Sequence, residues 1–375
     1  MSNTYFDQRN KITLDKLSIV MDSLPSFCVE FFIGIQNRTS PLTRLNYAYD
    51  LRIFFDFLCK KVFKQLDITH FTLDTIEKLT AFDIERFLDY LNNYEYDSKM
   101  SSCGEKAKER KLATIRSFLK YYFNKDKLSS NVATKVEPPK IHTKNILRLE
   151  IDEVARLLDT IEFGNDCIGK RQQAYLQNTK LRDLAIITLF LGTGIRISEL
   201  VGLDNTDIDL DNLSFLVTRK GGNKAVLYFS EEVAKALLEY INWKEQQIVD
   251  NTNLGEKITN FKKKSTKNQK IDTISTPNPA LFVSLQGNRM SLKAVQNLVS
   301  KFCKIVSPLK PISPHKLRST FGTTLYRQTG DIYVVAEVLG HRNINTTKKH
   351  YAESSEQIKR AASTAVKLRE NWRST

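Results

Sequence analysis

Apolar residues recur at helical spacing through the first third of the chain. Phe27, Val29, Phe31 and Phe32 open an apolar run, Leu45 to Leu58 (LNYAYDLRIFFDFL) continues it, and Phe82 to Leu91 and Leu112 to Phe123 (LATIRSFLKYYF) follow. This spacing predicts a helical module from Leu24 to about Lys135, whose last helix carries Lys and Arg off its apolar stripe. The residues before Leu24 are too few to fold as a separate domain, which takes about 40 residues without outside support. Pro138 and Pro139 then forbid helix continuation. They place a linker at 136–146, between a first domain over 1–135 and a second over 147–375.

The second domain opens with helical spacing from Leu149 to Leu158 and a strongly apolar helix at Leu181 to Leu191. Two β-rich runs follow, Leu213–Thr218 and Ala225–Phe229, flanking Arg219-Lys220-Gly221-Gly222-Asn223-Lys224. Gly-Gly-Asn supplies the positive φ angles of a tight hairpin turn. Helical spacing returns from Glu231. Residues 251–276 are polar and rich in Lys (257, 262, 263, 264, 267, 270), which reads as an exposed, flexible insertion. Near the end, Ile358, Ala361, Ala362, Ala365, Leu368 and Trp372 fall on one stripe, predicting a tail helix. The fold class is therefore mostly α with a small β-sheet: a helical N-terminal domain followed by an α+β domain.

Charge changes the picture. Among 375 residues there are 57 Lys and Arg against 42 Asp and Glu, so 57 − 42 = +15. A balance this basic points to a polyanionic partner, most often nucleic acid, although a merely basic enzyme has the same composition. The five cysteines (28, 59, 103, 167, 303) are scattered without a CxxC pair and read as reduced thiols, not as a disulfide frame or a zinc site. No apolar run reaches the roughly 18 residues of a membrane helix, and the opening MSNTYFDQRNK is too polar for a signal peptide. The expectation is a cytoplasmic protein with no membrane partner. HExxH, paired-Asp and GxxxxGK[ST] motifs are missing from the sequence, so neither a metal nor a nucleotide cofactor is expected.

Three islands concentrate polar residues among apolar ones. The first is Leu191-Gly-Thr-Gly-Ile-Arg196-Ile-Ser-Glu199-Leu200, with Arg196 and Glu199 spaced to share a helical face. The second is Pro314-His315-Lys316-Leu317-Arg318, where His315 and Arg318 again share a face. The third is Leu339-Gly340-His341, followed by Tyr351. Singly, each has an ordinary explanation. An Arg-Glu pair at this spacing is usually a surface ion pair contributing under ~1 kcal/mol, and a His-x-x-Arg fits any first turn behind a helix-starting proline.

Together, in this order, the islands resemble the tyrosine site-specific recombinases, the phage-integrase and Xer-like family. The likeness covers most of the chain: a helical N-terminal module, a basic Pro-containing linker and the whole catalytic region. It implies a core-binding domain followed by a catalytic domain that clamp a duplex from opposite sides. Carried over by position, it implies that Arg196 and Arg318 hold the scissile phosphate and that Lys220 protonates the leaving oxygen, with Lys224 the runner-up. His315 and His341 match the two histidine positions, Tyr351 the nucleophile, and Glu199 the acidic position after the first arginine. The interval from His341 to Tyr351 is one residue longer than the family's commonest spacing, an extra residue expected in a loop within 343–350.

The implied activity is DNA strand cleavage and religation through a 3′-phosphotyrosine and a Holliday junction at short core sites, with no cofactor. The implied assembly is a homo-tetramer on paired sites, its C-terminal tail passed to a neighbour, with room for a partner recombinase or accessory protein. The chemistry suits the residues. A phosphodiester is anionic, and planar guanidiniums donate to it in forks. A free phenol has a pKa near ~10 and needs nearby positive charge or a base, for which His315 is suited. Two alternatives stay open: a type IB-like topoisomerase that reseals without exchanging partners, and a non-catalytic DNA-binding regulator.

Overall fold

Helix α1 (Tyr5–Met21) starts where Thr4 and Asp7 cap each other: the Asp7 N–H donates to Thr4 Oγ1, and the Asp7 carboxylate accepts from the Thr4 N–H at 3.2 Å. The structure, a computed structural model, describes residues 4–64, 67–141, 147–164, 170–219, 222–262, 278–341 and 343–351. The chain divides into two units, Met1–Lys144 and Asn145–Thr375.

In the first unit α1 is followed by α2 (Cys28–Gly34) and α3 (Pro41–Phe57), the latter with Ser40 as cap and Pro41 in its first turn. A π turn (Leu58–Val62) extends α3, and α4 (Leu73–Glu77) and α5 (Ala81–Tyr90) follow. A hairpin of β1 (Tyr94–Tyr96) and β2 (Lys99–Ser101) leads to α6 (Glu105–Phe123). The core is largely aromatic. Phe118 of α6 lies edge-on to Phe31 (5.3 Å between centroids), Tyr122 (5.2 Å) and Phe55 (6.0 Å). Asp50 of α3 is buried, and Lys111 Nζ (2.8 Å), Thr114 Oγ1 (3.0 Å) and Arg110 all donate to it.

Three features of this unit depart from the sequence reading. The helical module begins at Tyr5 rather than Leu24, because Leu17 and Val20 of α1 enter the same core. The β1–β2 hairpin interrupts the helices, its turn made by Asp97 (φ 55°) and Ser98 (φ 59°), two successive positive φ angles that match a type I′ hairpin turn. Val136, assigned to the linker, is buried in the core, where its carbonyl accepts from Arg116. Pro138 and Pro139 lie beyond it.

The second unit runs α7 (Ile151–Phe163), α8 (Lys170–Thr193) and α9 (Ile197–Gly202), then an antiparallel sheet of β3 (Ile208–Asp209), β4 (Ser214–Thr218) and β5 (Lys224–Tyr228) in sequential order. Phe215 pairs with Leu227 and Val217 with Ala225. Phe215, Val217 and Leu227 are buried while Val226 and Tyr228 face out, the period-two pattern of a sheet covered on one side. Helices α10 (Glu231–Lys262), α11 (Leu292–Val306), α12 (Pro314–Thr329), α13 (Ile332–Leu339) and α14 (Ile344–Tyr351) complete the unit. Helix α10 reaches Lys262, so the first part of the segment read as a flexible insertion is helix. Residues 263–276, and the tail helix expected after Tyr351, lie outside the described residues. No helix among the described residues is long and apolar enough to cross a membrane.

Candidate active site

Three chain turns build the site. At the first, α8 ends and Gly194 adopts φ +62°, a left-handed angle that lets the chain reverse into α9. A Cβ on Gly194 would meet the side chains of Phe321 and Leu339, so this close approach also requires glycine. Buried Ile195 anchors the turn and Arg196 caps α9. Glu199 binds both ends of Arg196. Its Oε2 accepts the Arg196 N–H at 3.0 Å and its Oε1 accepts from Nη1 at 2.8 Å. The pair is not the ordinary surface ion pair of its spacing: the carboxylate is only 3% exposed, against 35% for the arginine side chain. A buried carboxylate thus aims a guanidinium that remains reachable by solvent.

At the second turn Pro314 opens α12, behind Ser313. His315 is exposed in the first helical turn, and Arg318, one turn later, is buried. The Arg318 guanidinium donates to the carbonyls of Gly194 and Leu339, bridging the first turn to the third.

The third turn ends α13. Gly340 takes φ +61°, its N–H donating to the Glu337 carbonyl (2.9 Å), and the His341 N–H donates to the Ala336 carbonyl (2.8 Å). This is a Schellman ending, which satisfies two of the helix's last carbonyls and leaves the next ones pointing outward. Arginines from three separate elements take those carbonyls. Arg219, at the end of the β4 side of the hairpin, donates Nη2 to Val338 (3.2 Å), Arg318 to Leu339, and Arg196 Nη2 to Gly340 (3.0 Å). The negative end of the helix dipole favours positive charge there. Val335 and Leu339 pack with Phe321 and Leu325 beneath, fixing α13 on α12. His341 Nδ1 lies 2.9 Å from Oγ1 of buried Thr347 on α14, which sets the direction of the imidazole.

Arg196, held by Glu199, and Arg318 therefore donate to adjacent carbonyls of the turn that ends in His341, and His315 stands one helical turn before Arg318. Lys220 and the side chain of Tyr351 lie outside the described residues, although the Tyr351 backbone closes α14 one turn after Thr347. Lys224, the runner-up lysine, is exposed on β5 and paired with Thr218. The loop expected within 343–350 is instead helix from Ile344 to Tyr351. Arg219 and Thr347 were not singled out by the sequence. Neither belongs to a local motif, and their partners lie 119 and 6 residues away. Among the described residues no group of three or more His, Cys, Asp or Glu is placed to hold a metal ion. The assembled groups hold oriented positive charge and an imidazole at one place, which suits an anionic phosphodiester.

The sequence model of the phage integrase family matches residues 148–357. Over 344 residues the chain is 31% identical to the tyrosine recombinase XerC of Caldanaerobacter subterraneus subsp. tengcongensis, covering 89% of this chain and 84% of the relative. Among solved structures, the XerH site-specific recombinase bound to palindromic difH substrate, a post-cleavage complex, superposes with a TM-score of 0.60 at 17% identity, covering 86% of this chain and 80% of that one. The Tn1549 transposon integrase in complex with circular intermediate DNA gives 0.57 at 20% identity, covering 90% and 99%. At these identities the structural likeness is one of fold.

Proposed function

The chain belongs to the phage integrase family, and from that premise we propose that it is a site-specific DNA recombinase that cuts and rejoins strands through a 3′-phosphotyrosine and a Holliday junction. The observation that carries this reading is the convergence of Arg196 and Arg318 on adjacent carbonyls of one turn beside His341. In the proposed reaction the phenolic oxygen of Tyr351 attacks the scissile phosphorus and loses its proton to His315. The phosphorus–O5′ bond breaks, and the departing oxygen takes a proton from Lys220. Arg196 and Arg318 meet the charge that builds on the non-bridging oxygens, with Glu199 aiming Arg196, and His341 adds a further donor. The Tyr351–phosphorus ester conserves the energy of the broken bond, so a 5′-hydroxyl from the partner duplex attacks that phosphorus and releases Tyr351 by the same steps in reverse, without cofactor or metal.

In this reading residues 1–135 form the core-binding domain, 136–146 the linker and 147–375 the catalytic domain. Phosphate contacts fix the register on DNA and a few side chains read the short core site. Four copies assemble on paired sites in the cytoplasm, coupled by the tail beyond Tyr351, with a partner recombinase or accessory protein able to join them.

The test begins by selecting a randomised pool of nicked duplexes for covalent capture by the chain, which yields its site. Two labelled duplexes carrying that site should then give recombinants and a four-way junction, with undiminished yield in EDTA. Supercoil relaxation without exchange would assign the chain to the topoisomerase alternative, and binding without any adduct would leave a non-catalytic regulator.

A further inference from the structure

Arg219 does three things at one point. Its N–H donates to the Asn223 carbonyl (2.7 Å) and its carbonyl accepts from the Gly222 N–H (3.1 Å), so its backbone makes two hydrogen bonds across the β4–β5 turn. Its guanidinium crosses to the end of α13, donating Nη2 to the Val338 carbonyl at 3.2 Å. It also lies over Gly340 so closely that a Cβ there would collide with it. The Nε of Arg219 is buried with no hydrogen-bond partner among the described residues. Lys220 is the next residue in the chain.

We infer that Arg219 is a positioning residue for strand cleavage, tying the hairpin turn that carries Lys220 to the carbonyl turn that gathers Arg196, Arg318 and His341. It acts through Lys220 and touches no reacting atom. The inference rests on the proposed reading of Lys220 as the acid. That role confines the expected defect to one event, protonation of the departing O5′ as the phosphorus–O5′ bond breaks and the Tyr351–phosphorus bond forms. With sulfur in place of that bridging oxygen, the leaving group departs as a thiolate without needing a proton, its conjugate thiol having a pKa near ~8.5.

The experiment compares single-turnover cleavage by the full chain on two nicked duplexes carrying the captured site, one with O5′ and one with bridging sulfur. Lys220→Ala is the reference, Arg219→Ala the test and Arg219→Gln, which keeps a donor, the second variant. Since a general acid contributes about 10²–10⁴ in rate, Arg219→Ala is expected to lose about 10-fold or more on oxygen and less than about twofold on sulfur. Arg219→Gln should recover part of the oxygen rate, and both variants should bind the duplex and melt as the parent does. If Lys220→Ala is rescued by sulfur while Arg219→Ala is equally slow on both substrates, or loses duplex binding and thermal stability, Arg219 serves the fold and the inference is overturned. If Lys220→Ala itself is not rescued, the assignment of the acid falls, and this inference falls with it.

Discussion

The two units bury polar groups for different ends. In the first, buried Asp50 accepts from donors that, among the described residues, all lie on α6: Lys111, Thr114 and Arg110. That cluster ties α3 to α6 within a core of stacked and edge-on rings. In the second, buried Arg318 reaches across elements to backbone carbonyls while buried Glu199 holds Arg196 at the start of its own helix, so that positive charge gathers around one turn. The first pattern satisfies its charges completely and locks a scaffold. The second concentrates guanidiniums at a helix end, an arrangement that serves an incoming anion better than it serves packing. The contrast teaches that charge marks a site where several elements bring guanidiniums to one place, rather than where one buried charge is neutralised.

The contrast can be broken by separating stability from rate. Phe118→Ala should lower unfolding free energy by about 3–5 kcal/mol, the usual cost of emptying an aromatic position in a core. Below its melting temperature and at saturating protein, the cleavage rate should stay near the parent's. A thermal melt with single-turnover cleavage checks both, and a rate loss matching that of a site variant would erase the distinction. Arg196→Ala should behave in the opposite sense, cutting the cleavage rate about 10²–10³-fold, equivalent to about 2.7–4 kcal/mol, by loss of one oriented donor. Its melting temperature should also fall, because the buried Glu199 carboxylate loses its partner, so the rates are compared well below that temperature.

How much of this could be read from the chain differs by element. Arg196, Glu199, His315, Arg318 and His341 sit in compact local motifs, and the structure places them around one turn or, for His315, one helical turn from it. Arg219 gave no signal because a guanidinium on a distant carbonyl has no sequence pattern. Helix α1 was missed because Ile12, Leu14 and Ile19 face outward, blurring the stripe formed by Thr13, Leu17 and Val20. The β1–β2 hairpin was missed because its strands are three residues long and its turn is Asp-Ser rather than a glycine pair. Helix α10 ran on past Asn251 because a Lys-rich composition tells of exposure, not of backbone conformation.

The smallest expected effect lies away from the site in the second unit. Glu153 on α7 is buried, which raises its pKa, but hydrogen bonds from Lys310 (2.7 and 2.8 Å), the Glu150 N–H and Ser307 outweigh burial and hold it below the ordinary carboxylate range. A carboxylate with a lowered folded-state pKa stabilises the fold above its unfolded pKa of about 4.3, and that contribution is lost as pH falls through the folded value. Melting temperature measured from pH 6 downward should therefore fall more steeply below about pH 4 for the parent than for Glu153→Gln. The difference should be worth about 1 kcal/mol or less, since Lys310 is partly exposed. Parallel curves would remove Glu153 as a source of acid sensitivity.

The central claim is that the charge gathered around Gly340 serves one nucleophile, Tyr351. The direct measurement is to trap the chain on its captured nicked duplex, digest the adduct with protease and nuclease, and locate the nucleotide-bearing residue by mass spectrometry, beside Tyr351→Phe. The expected result is a single modified peptide carrying the nucleotide on Tyr351, with Tyr351→Phe binding the duplex normally and forming no adduct. A nucleotide on any other residue, or an adduct that persists in Tyr351→Phe, would contradict it.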